Sequence, residues 1–177
     1  PEKLADGTIT WYGFNSDITE RKLASKELLL KNNALSKLNQ FAIVLSDLSM
    51  DDNLEEIITR HVKEIACADV AIFSEYNSIN KTTSTRHIEI ESAMLKKVVR
   101  LLGTQVKNIH SVVSDEMFRE MTTEIIGIRK TLNEVSFGAI SKPVGAAIQA
   151  LLNVDRFIGV AYLVEGELFG TSVLAMS

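Results

Sequence analysis

The chain has 177 residues, 46% apolar and 24% charged, proportions that suit one globular domain plus an extension. A net charge of −4 and a pI near 5.4 give no basic field for nucleic acid or an anionic membrane. No apolar run approaches the ~20 residues of a membrane span, no signal-peptide pattern opens the chain, and the single Cys67 excludes an internal disulfide. A cytoplasmic protein is therefore expected. Pro1 opens inside a strand-like stretch, which reads as a piece of a longer protein.

Residues 4–16 read as the end of a strand pair, with a turn at Asp6-Gly7 and a β-favouring run from Thr8 to Tyr12 before Gly13. Asp17-Ile18-Thr19-Glu20 has a capping-box pattern, and a run free of Gly and Pro follows it to Asp51. Along that run Leu28, Leu35 and Ala42 recur every seven residues, and Leu38 and Leu45 fall three residues after two of them. The spacing predicts a long helix over 18–50 with a coiled-coil-like seam, and hence a homodimer through this helix.

Ser49 to Asn53 supplies caps for a second helix, with Leu54, Ile57, Ile58, Val62 and Ile65 on one face and its end near Cys67. Val70 to Tyr76 reads as a buried strand and Thr82 to Glu91 as a second. Ser92 starts a helix with Leu95, Val98, Val99 and Leu102 inward and Gly103 as its stop. Asn108 to Val113 reads as a strand, and Ser114 caps a helix through Met121. Residues 122–140 read as short helical or irregular pieces broken at Gly127 and Gly138. Pro143 suits a helix first turn running on to Leu152, and Arg156–Val164 and Leu168–Met176 form a hairpin around Glu165-Gly166-Glu167. The order predicts an α+β fold, a central antiparallel sheet with helices on its faces.

Two resemblances rest on these residues. Asp6-Gly7, Trp11, Gly13 and Asp17-Ile18-Thr19-Glu20-Arg21-Lys22 resemble the C-terminal edge of a PAS domain and its exit motif. The resemblance implies that Asp17 and Thr19 tie a signalling helix to a sensor sheet. Residues 53–177 resemble a GAF domain, through Ala68-Asp69-Val70-Ala71-Ile72-Phe73 and the closing run from Phe157-Ile158-Gly159-Val160 to Glu165-Gly166-Glu167-Leu168-Phe169-Gly170-Thr171-Ser172-Val173-Leu174. Domains are thus expected at 1–17 (PAS edge), 18–50 (connector helix) and 51–177 (GAF domain). The order resembles the input half of a bacterial or archaeal sensor histidine kinase in a two-component system. It implies an unidentified small-molecule ligand in a pocket on one sheet face, covered by residues 115–140. It further implies a kinase core and a response regulator downstream.

No catalytic or metal-binding set is expected. His61-Val62-Lys63-Glu64 lacks the acidic residue and Pro that follow a phosphoacceptor His, and no Gly-rich nucleotide loop is present. Glu89, Glu91, Asp115 and Glu116 read as acidic helix N-termini rather than acid–base pairs. Cyclic-nucleotide-binding GAF domains carry an Asn-Lys pair, a Phe and an Asp-Glu pair. Asn80-Lys81 and Asp115-Glu116 match, but Ser111 stands at the Phe position. Cys67 is followed by Ala68 where bilin-binding relatives commonly have His. One Cys does not suit the sulfoxide reductases of this fold, which use several. A haem-based redox or gas sensor is the alternative cofactor reading, with Cys67, His110 and His87 as candidate cofactor-binding residues and His110 the first ligand to test. Against it, Cys67 at a helix end reads as a small buried hydrophobe. A dimerisation module with no ligand is the other alternative.

Overall fold

The computed structural model describes residues 2–10, 17–49 and 51–177, and two compact units, Pro1–Ser36 and Lys37–Ser177, divide inside one long helix. In the first unit β1 (Glu2–Lys3) pairs antiparallel with β2 (Ile9–Thr10). Asp6 Oδ1 accepts the Thr8 N–H at 2.9 Å and Gly7 takes φ +86°, the left-handed conformation that a side chain resists. Trp11, Tyr12 and Gly13, which carry part of the PAS-edge resemblance, lie outside the described residues.

Helix α1 runs Thr19–Ser46. Its start corrects one expectation. The Ile18 carbonyl accepts the Lys22 N–H at 2.9 Å, so Ile18 and not Asp17 occupies the cap, and among the described residues Glu20 makes no reciprocal bond. Asp17 Oδ1 instead accepts the Thr19 N–H at 2.9 Å, a local Asx-type turn that enters the helix.

The second unit is built on six antiparallel strands in the order β5-β4-β3-β8-β7-β6. They are β3 (Val70–Asn77), β4 (Thr82–Glu89), β5 (His110–Val112), β6 (Ile126–Arg129), β7 (Arg156–Val164) and β8 (Glu167–Met176). The helices are α2 (Leu54–Ala66), α3 (Ser92–Leu102), α4 (Asp115–Thr123), α5 (Leu132–Val135) and α6 (Lys142–Leu152), with a 3-10 turn at Val106–Asn108. This is the α+β layout expected, with helices on both sheet faces.

Local chemistry explains most boundaries. Asn53 Oδ1 accepts the Glu56 N–H at 3.0 Å and the Ser114 hydroxyl accepts the Met117 N–H at 3.2 Å, so both helices start on side-chain caps. Gly103 closes α3 at φ +70° with its N–H on the Val99 carbonyl. Glu165 and Gly166 both have positive φ, the type I′ geometry that matches the twist of a two-residue hairpin.

Residues 122–140 are more regular than expected. They hold the edge strand β6, paired with β7, and the short helix α5. Strand β6 turns Ile126 and Ile128 outward, 64% and 63% exposed, which reverses the usual apolar-inward pattern. Helix α5 carries a complete capping box between Thr131 and Glu134. Strand β4 also ends at Glu89, two residues early, because Glu91 caps α3.

One sheet face is covered by α2, where Ala71 and Phe73 are fully buried with Ala68 and Leu174 close by. The other carries the larger core, formed with Val98 of α3, Leu132 and Val135 of α5 and Ile148 of α6. Within this unit the second half of α1 contributes Phe41, whose ring stacks on His61 with centroids 4.9 Å apart, and Lys37, whose Nζ donates to the Glu64 carbonyl at 2.6 Å.

Candidate ligand-binding site

Between the sheet and α3, α5 and α6 lies a cavity of about 90 Å³. Its floor is set by strand alternation in three adjacent strands. Ile72 on β3 pairs with Ile88 on β4 and Val173 on β8, and one step along the same face Ser74 pairs with Thr85 and Thr171. Three neighbouring strands thus change from branched aliphatic to hydroxyl side chains at the same level.

That match requires an irregularity. The β3–β4 register shifts between Phe73 and Ser74, so Arg86 is an extra residue on β4. Ile88 and Thr85, an odd number of positions apart, can then both face the cavity. Arg86 is turned away and pairs with Glu75, its Nε donating at 2.7 Å. The bulge keeps a guanidinium out of the cavity.

The roof is positioned by polar clamps. Gln149 Oε1 accepts the Leu132 N–H at 2.9 Å while its Nε2 donates to the Lys130 carbonyl at 3.2 Å, and Asn133 Nδ2 donates to the Ile140 carbonyl at 2.7 Å. A Cβ on Gly145 would stand 3.4 Å from Leu132 Cβ, so α5 and α6 approach closely there. The expected cover was residues 115–140. Of that segment α5 and 136–140 do roof the cavity, but α4 and β6 do not; α3, the 3-10 turn and α6 complete the roof.

The lining carries no ionisable group. Its hydroxyls are those of Ser74, Thr83, Thr85, Ser111, Ser136 and Thr171. Ser136 is satisfied, its hydroxyl donating to the Asn133 carbonyl at 3.2 Å and accepting the Ile140 N–H at 3.1 Å. A second cavity of about 60 Å³ adjoins the first across Val135, Phe137, Thr171 and Val173. Its lining includes charged groups, Glu124 and the paired Arg129 and Glu120. Phe137 stands between the two with φ +51°, a left-handed conformation uncommon for an aromatic residue.

None of the candidate cofactor residues reaches this cavity. His87 pairs in register with Phe73, on the opposite sheet face. Among the described residues its buried Nε2 has no hydrogen-bond partner, and Glu89 Oε2 lies 3.6 Å away. His110 is exposed and its Nδ1 lies 2.8 Å from the Ser84 hydroxyl, because alternation in β5 sends Ser111 inward. Cys67, expected to be buried, is exposed; it is the C-cap of α2 at φ +53°, which turns its side chain away from the sheet. A cavity of about 90 Å³ with no His, Cys or Met in its lining offers a porphyrin neither room nor an axial ligand, so these residues do not fit a haem.

Two residues noted separately in the sequence do meet. Lys81 Nζ lies 2.6 Å from Asp115 Oδ1 at the surface, and this neighbour holds the Asp115 carboxyl below its ordinary range. Asp17 and Thr19 are joined through the bond at the start of α1. The seam residues Leu28, Leu35, Leu38 and Leu45 are 60%, 57%, 46% and 38% exposed, and Ala42 is exposed as well. The five cavity-facing hydroxyls other than Ser136 escaped the sequence reading. Ser and Thr in strands carry no chemical motif, and only the shared register reveals the row.

Known structures share this architecture. The chromophore-binding domain of Stigmatella aurantiaca bacteriophytochrome superposes with a TM-score of 0.56 at 12% identity, over 81% of this chain and 51% of that one. The GAF domain of A. aeolicus nlh2 gives 0.54 at 13% identity, over 84% and 82%. The phycocyanobilin-bound GAF domain of a cyanobacterial phytochrome gives 0.52 at 13%, over 81% and 80%.

The fold is a GAF fold.

At these identities the likeness extends to the fold alone, and this chain spans about half the length of the bacteriophytochrome domains it matches. No family model matches the chain, and no curated protein matches it. Among the described residues no helix is long and apolar enough to cross a membrane.

Proposed function

We propose that this chain is a non-catalytic sensory input module of a cytoplasmic two-component histidine kinase, acting as a homodimer through α1. The cavity would take a small-molecule ligand, and its occupancy would shift the packing of α1 and so the activity of a downstream kinase core on its response regulator. A ligand can act this way only by binding one helix arrangement better than another.

One observation carries the reading. The second half of α1 leans on its own unit by the stripe Lys37, Phe41 and Val44, all half-buried, and Leu48 just beyond the helix is half-buried as well. The heptad stripe Leu38, Ala42 and Leu45, one residue further round, stays exposed and continues back to Leu35 and Leu28. A helix with one face on its domain and a regular leucine seam facing out is suited to join two copies and report on both.

The test is the double substitution Leu35→Asp with Leu38→Asp. Sedimentation should show a dimer for the unchanged chain and a monomer for the variant, with the thermal unfolding of the sheet unit retained. An unchanged chain that sediments as a monomer at high concentration defeats the dimer reading. In the full-length parent, the same variant should lose ligand-dependent control of autophosphorylation.

A further inference from the structure

We propose that the cavity takes a small, uncharged molecule with one hydrogen-bonding group on an apolar body, of the phenol class in size and polarity. Its polar group would lie on the hydroxyl row Ser74, Thr85 and Thr171, and its apolar body on Ile72, Ile88 and Val173. The proposal deepens the ligand-sensing reading above and rests on it for its biological meaning.

The hydroxyls are the first argument. Thr83 and Ser111 are 5% and 7% exposed, line the cavity and face one another in register across β4 and β5. Among the described residues His87 Nε2 is the one sealed side-chain polar atom without a partner, so these hydroxyls, like those of the half-buried Ser74, Thr85 and Thr171, are not sealed orphans but open onto the cavity. A hydroxyl that opens onto a cavity is satisfied there by water or by a group of a ligand. Five hydroxyls on one patch of cavity wall present donors and acceptors together to whatever enters it.

Charge and size fix the rest. No ionisable side chain lines the cavity, and the bulge at Arg86 removes the one that strand alternation would have put there. An ion entering would lose its hydration with no counter-charge to replace it. An apolar cavity of about 150 Å³ accepts benzene; this one, at about 90 Å³, is smaller, so a single small ring is the upper limit and is seated only if Phe137, which divides it from the adjoining cavity of about 60 Å³, gives way. The floor is divided lengthwise, aliphatic at one end and hydroxylic at the other, so the molecule has one polar end and one apolar end.

The experiment titrates the whole chain with phenol, benzene and benzoate, three compounds of one shape that differ in polarity and charge, and reads isoleucine methyl shifts by NMR. Phenol should bind about fivefold more tightly than benzene, the worth of one ordinary hydrogen bond, and benzoate should bind at least about tenfold more weakly than phenol. Ser74→Ala with Thr85→Val should erase the phenol advantage while leaving benzene affinity in place, which also shows that the variant is folded. Benzoate binding as tightly as phenol, a phenol advantage that survives in the variant, or no methyl shift with any of the three would overturn the proposal. Phenol binding as expected without any effect on the α1 dimer would leave the ligand class standing and defeat the signalling reading instead.

Discussion

A Cβ on Gly170 would stand 2.7 Å from the Ser74 carbonyl oxygen and 2.9 Å from Phe73 Cζ. Phe73 is fully buried, and its ring also lies 5.9 Å from those of Tyr162 and Phe169, so there is no room for it to yield. Gly170→Ala should therefore cost about 1–3 kcal/mol through overpacking, read as a lower urea midpoint at unchanged slope. Glu134 illustrates a different residue-scale effect. Its Oε2 accepts the backbone N–H groups of Lys130 and Thr131, both at 3.1 Å, and these bonds hold its carboxyl below the ordinary value of 4.5. A group depressed in the folded state adds stability above its unfolded pKa and loses it as pH falls through the folded one. Glu134→Gln should thus differ most from the unchanged chain at neutral pH. The two unfolding curves should converge as pH drops below 4.5, as followed by urea denaturation at several pH values.

At the scale of elements, helices were legible where a cap and a periodic face coincided. Asn53, Ser114 and Gly103 each sit where the boundary falls, and removing one has a defined cost. Asn53→Ala should destabilise the chain by about 1 kcal/mol, measurable as a lower thermal midpoint. Thr131 and Glu134 show a signal that was present but overlooked, since Thr-x-x-Glu is the capping-box spacing that opens α5. Strand β6 had no such signal. Its isoleucines point outward and Gly127 and Arg129 inward, and β5 likewise buries Ser111 while leaving Val112 71% exposed. Strands that invert the hydropathy rule are expected where a surface serves something other than the core. Here β5 lines the first cavity and β6 the second.

For the whole molecule, the larger core and the cavity are one construction, since Val98, Leu132, Val135 and Ile148 belong to both. Ile148→Ala should cost about 2–5 kcal/mol, because the roof helix cannot collapse fully onto the sheet. It should also enlarge the cavity and strengthen benzene binding, so that one variant loses stability in denaturation and gains affinity in titration. Both effects share one cause, empty volume under α6.

What the sequence by itself determined was local: the order and type of most elements, the α+β layout, the hairpin around Glu165-Gly166-Glu167, and the leucine seam on α1. Each follows from interactions within a few residues, where periodicity, caps and turn conformations act without reference to the rest of the chain. Only the tertiary structure decided which strand residues face the cavity. Up to Thr85 the odd positions of β4 point inward, and after the extra residue Arg86 the even ones do. A one-residue insertion in the pairing inverts every later side chain, and it arises from how β3 and β4 meet, not from either strand alone. That is why His87 stands away from the cavity while Thr85 faces it; on β5 the unshifted alternation turns His110 out and Ser111 in.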